Sequence, residues 1–76
     1  MGVRKFTYRM RTGELGTGKV EDCGLVGESL LTTFTINGRN IHSRSAPGCT
    51  FYERFDADKL AIGATHMWIK DDDART

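Results

Sequence analysis

The dipeptide Asn37-Gly38 stands between two runs of alternating apolar and polar residues, and it constrains this chain more than any other feature. Asn-Gly favours a type I′ turn, whose twist matches that of two paired antiparallel strands. A two-residue closure sets the register: Ile36 opposite Arg39, Phe34 opposite Ile41, Thr32 opposite Ser43. Leu30, Phe34, Ile36 and Ile41 then share one face, and Thr33, Thr35, Asn40, His42 and Arg44 share the other. The sequence therefore predicts a hairpin over residues 29–36 and 39–45.

A second period-two run occupies residues 3–11. Arg4, Phe6, Tyr8 and Met10 point one way, and Val3, Lys5, Thr7, Arg9 and Arg11 the other. Such alternation reads as a half-buried strand, with a basic outer face. Residues 12–28 contain Gly13, Gly16, Gly18, Gly24 and Gly27. Glycine tolerates positive φ, so this density predicts a long loop with at most a short strand around residues 19–22. After Pro47-Gly48, residues 49–55 read as a strand with Cys49, Phe51 and Phe55 on one side and Thr50, Tyr52 and Arg54 on the other. A short helical turn is predicted over residues 57–62, capped by Asp56, stapled by Phe55 and Leu60, and ended by Gly63. Residues 64–70 form the last strand, with Met67 and Ile69 inward and His66 and Trp68 opposite. Residues 71–76 read as an acidic, flexible tail.

With 76 residues, the chain has room for one domain with a small core, here residues 1–70. A TIM barrel or a doubly wound nucleotide-binding fold needs far more chain. Closely spaced strands without long helices predict a mainly β fold, a small five-stranded antiparallel barrel with one helical turn before the last strand. The layout resembles that of SH3-like barrels, with their long first loop and single turn before the final strand. The likeness is one of architecture, since no motif for proline-rich ligands accompanies it.

Formal net charge is only +1, yet it is unevenly distributed. Residues 1–20 carry five positive charges and one negative, and residues 21–38 carry three negative and none positive. Residues 39–54 hold three positive and one negative, and residues 55–76 hold three positive and five negative. Dedicated nucleic-acid domains more often have a pI above about 9. No apolar run approaches the ~20 residues of a membrane span, and the basic start lacks the apolar stretch of a signal peptide. A cytoplasmic location is the expectation.

Motifs for chemistry are weak. Gly13-Glu14-Leu15-Gly16-Thr17-Gly18-Lys19-Val20 satisfies G-x-x-x-x-G-K, but Val20 stands where a phosphate-binding loop needs Ser or Thr. No buried strand precedes it and no helix start follows, so it reads as a glycine-rich turn. Cys23, His42, Cys49 and His66 form a Cys₂His₂ inventory, but their spacings of 19, 7 and 17 residues lack the close pairs of structural zinc sites. Helix capping accounts for Asp56, and the dipole of a first turn for Asp58. No nucleophile motif is present. The chain is therefore expected to be no enzyme and to hold no metal or cofactor.

A basic and aromatic surface is the remaining functional signal. Lys5, Arg9, Arg11, Arg44, Tyr52, Arg54 and Trp68 are the expected binding residues. Arginine clamps anions bidentately, and Tyr and Trp offer flat faces; the same types populate protein–protein hot spots. The expected role is a non-catalytic binding module that engages a protein partner or a second copy of itself. Nucleic acid is the alternative ligand of the same face, and a small metal-binding or enzymatic protein is the second alternative. A slip of one residue in the last strand would bury Trp68 and remove the patch.

Overall fold

The computed structural model of the protein describes residues 2–70. Five strands, β1 (Gly2–Met10), β2 (Leu15–Val26), β3 (Ser29–Ile36), β4 (Arg39–Ser45) and β5 (Ala64–Ile69), form one antiparallel sheet in the order β4-β3-β2-β1-β5. Two short helices, α1 (Phe51–Ala57) and α2 (Lys59–Ile62), lie between β4 and β5. The sheet is not closed: β4 and β5 are its edges. A barrel was expected, but here the helical segment covers one face of an open sheet. The expected acidic tail lies outside the described residues.

The hairpin forms as its turn chemistry dictates. Asn37 and Gly38 have φ of 52° and 76°, and Ile36 pairs with Arg39, Phe34 with Ile41 and Thr32 with Ser43. β1 and β5 also orient as their alternation requires. Phe6 and Tyr8 are buried, and Trp68 is 43% exposed.

The long loop expected over residues 12–28 is instead the longest strand. β2 is the central strand of the sheet, between β1 and β3. Its glycines serve close approach rather than turning. Gly16 lies opposite Tyr8 and Gly18 opposite Phe6. A Cβ on Gly16 would run into the Tyr8 ring, and one on Gly18 would come within 2.7 Å of the Thr35 carbonyl oxygen. The missing side chains make room for the two aromatic rings on the inner face. Gly24, at φ 71°, sits at a bulge that shifts the β2–β3 register after Asp22.

Residues 49–55 were expected to be a strand, and most of them belong to α1. Thr50 and Glu53 form a reciprocal capping box: Thr50 Oγ1 accepts from the Glu53 N–H at 3.1 Å, and Glu53 accepts from the Thr50 N–H at 2.7 Å. Hydrogen bonding of the Glu53 carboxyl to the Thr50 backbone N–H, and to the Thr50 side chain, holds it below its ordinary pKa. Thr50, not Asp56, is therefore the cap. The expected staple is absent, since Leu60 is 83% exposed. Gly63 does end α2 in the left-handed region, at φ 84°.

Helical rather than period-two spacing turns Phe51, Arg54, Phe55 and Asp58 toward the sheet. Phe55 meets Phe6 edge-on at 5.6 Å between ring centroids and stacks on Phe34 at 6.0 Å, while Phe6 and Phe34 meet edge-on at 5.7 Å. Full burial of Phe6 and Phe34 contributes about 1.5–3 kcal/mol each. At the helix junction, Asp58 Oδ1 accepts from Ser43 Oγ at 3.0 Å, and its buried Oδ2 has no partner. Burial raises the Asp58 pKa, against the opposing effects of the Ser43 bond and the Arg54 charge.

Candidate functional site: the uncovered sheet face

With the helices on one side, the other side of the sheet has no covering layer among the described residues. Alternation and register determine what it displays. On β1 these are Val3, Lys5, Thr7 and Arg9; on β2, Leu15, Thr17, Lys19 and Glu21; on β3, Thr33 and Thr35; on β4, Asn40, His42 and Arg44; on β5, His66 and Trp68.

Lys5 and Lys19 are direct cross-strand partners. Lys70 follows directly after the end of β5, next to the Phe6–Ile69 pair. The three lysines, with Thr17, Gly18 and Thr35, line an open depression of about 370 Å³. Like charges directly opposite on paired strands are destabilising. Among the described residues no carboxylate lies in ion-pair range of Lys5 or Lys19. Among the described residues Glu21 is the one acidic side chain on this face.

Next to the lysines lies an aromatic pair. His66 and Trp68 alternate onto the same side of β5, and their rings stack at 6.1 Å with 16° between planes. Trp68 lies opposite Thr7, which is in turn opposite Thr17, so small side chains stand directly across from it. On the far side of the face, Thr33 Oγ1 and His42 Nδ1 are 3.1 Å apart, and Thr35 donates to Asn40 at 3.0 Å. Arg44 reaches back to the Val26 carbonyl at 3.3 Å.

Of the seven residues predicted from sequence, the structure places Lys5, Arg9, Arg44 and Trp68 on this face. Arg11 is exposed in the β1–β2 turn beside it. Tyr52 lies on the helix side, where Arg4 Nη1 donates to its hydroxyl at 3.1 Å and the Arg4 guanidinium sits 5.8 Å from its ring centre. Arg54, expected to point outward, is 4% exposed beneath α1. Its Nη2 pairs with Asp22 at 2.9 Å, its Nε donates to Thr32 Oγ1 at 3.0 Å and its Nη1 to the Cys49 carbonyl at 2.6 Å. Both corrections have one cause: the segment turns every 3.6 residues, so Tyr52 and Arg54 do not share a face with each other or with β1.

Lys19 and Lys70 were missed. Lys19 was hidden by the loop reading of β2, although Leu15, Thr17, Lys19 and Glu21 alternate with Gly16, Gly18, Val20 and Asp22. The G-x-x-x-x-G-K sequence forms a turn and a strand, and its lysine belongs to the open face. Cys23 and Cys49 are free thiols. Among the described residues no three His, Cys, Asp or Glu side chains are grouped to hold a metal ion, and no helix is long and apolar enough to cross a membrane. Comparison with protein-family models, curated proteins and solved structures finds no match.

Proposed function

We propose that this protein is a non-catalytic binding module that holds an anionic ligand on its uncovered sheet face. The observation that carries the reading is the cross-strand pair Lys5–Lys19 with Lys70 alongside. Such a pair costs the free protein electrostatic energy, and a negative ligand relieves it. Arg9 and Arg44 extend the positive field across the sheet, and Thr17 and Thr35 supply hydroxyl donors within the same depression. Lys5, Arg9, Lys19 and Arg44 thus share one side of a near-neutral chain. The test is salt elution from immobilised heparin. The double variant Lys5→Glu/Lys19→Glu is expected to elute at much lower salt than the wild type, with an unchanged circular dichroism spectrum. Equal retention of the two overturns the proposal.

A second reading, a protein partner or a second copy of the chain, is favoured by the two open edges β4 and β5 and by exposed Val3, Leu15, Leu25 and Val26. Unpaired strand edges are templates for pairing with another chain. Light scattering tests it: a mass above 8.5 kDa supports self-association, and a monomer at all concentrations removes the second-copy version.

A further inference from the structure

Resting on the anion-binding reading above, we infer that the ligand of this face is single-stranded nucleic acid. One base stacks on the Trp68 indole beside His66, and the neighbouring phosphates lie along Lys70, Lys5 and Lys19. Three features carry the assignment. The Trp68 ring is 43% exposed and already stacked on His66, so a flat surface is in place before any ligand arrives. Lys70 lies two residues beyond Trp68, just past the end of β5, and lines the depression with Lys5 and Lys19, so base platform and cations adjoin on one side of the sheet. The flanking Thr7 and Thr17 are too small to block a base laid on the indole.

These features separate a single strand from other polyanions. A duplex keeps its base faces stacked inside and has none to offer Trp68. A sulfated sugar or an acidic peptide matches the lysines but leaves the ring pair without a partner of its kind. Base–aromatic stacking is tolerant of sequence, because every base has a π-face. Among the described residues the side chains next to Trp68 include no Asn, Gln or Arg apart from Arg9, so little base-edge reading is expected and affinity varies weakly with sequence.

The experiment uses the full chain and exploits its single tryptophan, which makes selectively excited tryptophan fluorescence a reporter of position 68 alone. Oligomers of dT and of U about ten nucleotides long, a DNA duplex and heparin are titrated in turn. The single strands are expected to quench Trp68, and heparin to bind without quenching. Three lysine–phosphate contacts give a slope of log affinity on log salt near −2 for the single strands. Trp68→Ala weakens oligo-dT binding roughly 5- to 150-fold, the effect of one lost stack, and leaves heparin retention unchanged. Trp68→Phe keeps a ring and restores most of the affinity, which separates stacking from a folding defect. If Trp68→Ala binds oligo-dT as tightly as the wild type, or duplex binds as tightly as single strand, the inference is overturned while anion binding stands. If none of the four probes binds, both are overturned. A preference for dT over U, or the reverse, assigns DNA or RNA within the inferred class.

Discussion

Buried Arg54 and half-buried Asp22 form an ion pair, 2.9 Å from Nη2 to Oδ1, that ties α1 to the central strand β2. The guanidinium also binds Thr32 on β3 and the Cys49 carbonyl ahead of the helix, and lies 5.9 Å from the Phe51 ring centre. One side chain thus joins three parts of the fold, and its role is architectural. Removing one partner of a buried pair strands the other charge. Asp22→Ala is expected to cost about 3 kcal/mol and Arg54→Met less, because the Asp22 carboxylate it leaves unpaired is 28% exposed and keeps contact with water, whereas Arg54 is 4% exposed. Urea denaturation of both variants checks the order. A more stable Asp22→Ala variant would refute this account of α1 docking.

Gly18 gives a sharper test of how β2 packs. A methyl group there meets the Thr35 carbonyl at 2.7 Å and the Phe6 ring at 3.0 Å. Gly18→Ala is expected to lose about 1–3 kcal/mol, as overpacked sites do, despite the better intrinsic propensity of alanine. Thermal unfolding reads this as a Tm lowered by about 4–8 °C per kcal/mol for a domain of this size. An unchanged Tm would restore the reading of residues 12–28 as a loose loop.

The capping box predicts a specific acid response. Glu53 has a lowered pKa in the folded state, so its contribution is present above the unfolded carboxyl value and is lost as pH falls through the folded one. Glu53→Gln is therefore less stable than wild type at neutral pH, and the gap narrows in acid. Thr50→Ala removes the other half of the box and costs about 1 kcal/mol at neutral pH. Thermal scans across the acid range compare the two.

Asp58 works in the opposite sense. Burial raises its pKa on folding, so the folded state favours the protonated form; the stability this brings is complete below the unfolded value and lost as pH rises through the folded one. Asp58→Asn keeps an oxygen that accepts from Ser43 and carries no charge. Its Tm is expected to exceed that of the wild type at neutral pH and to converge with it in acid. A lower Tm at neutral pH would show that the Arg54 charge outweighs burial.

Much of the fold is legible in the chain because strand alternation and Asn-Gly turn chemistry are local. The β3–β4 register, the inward face of β1 and the outward face of Trp68 follow from them directly. β2 is obscured because the value of Gly16 and Gly18 lies in the Tyr8 and Phe6 rings opposite, which only the pairing reveals. α1 is obscured because residues 49–55 fit a period of two as well as one of 3.6. Thr50 and Glu53, spaced as a capping box, are the local signal that separates the two readings. The site follows the same division. Lys5, Arg9, Arg44 and Trp68 are found from alternation alone, whereas Lys19 depends on recognising β2 as a strand. Tyr52 and Arg54 leave the set once their segment becomes helical.

The most direct test of the uncovered face as the binding surface is an amide NMR map of the ¹⁵N-labelled protein titrated with a short heparin oligosaccharide. The account predicts perturbations at Lys5, Thr17, Lys19, Thr35 and Lys70, with α1 and the Arg4–Tyr52 contact unmoved. Perturbations confined to the helix side, with Lys5 and Lys19 unchanged, would contradict it.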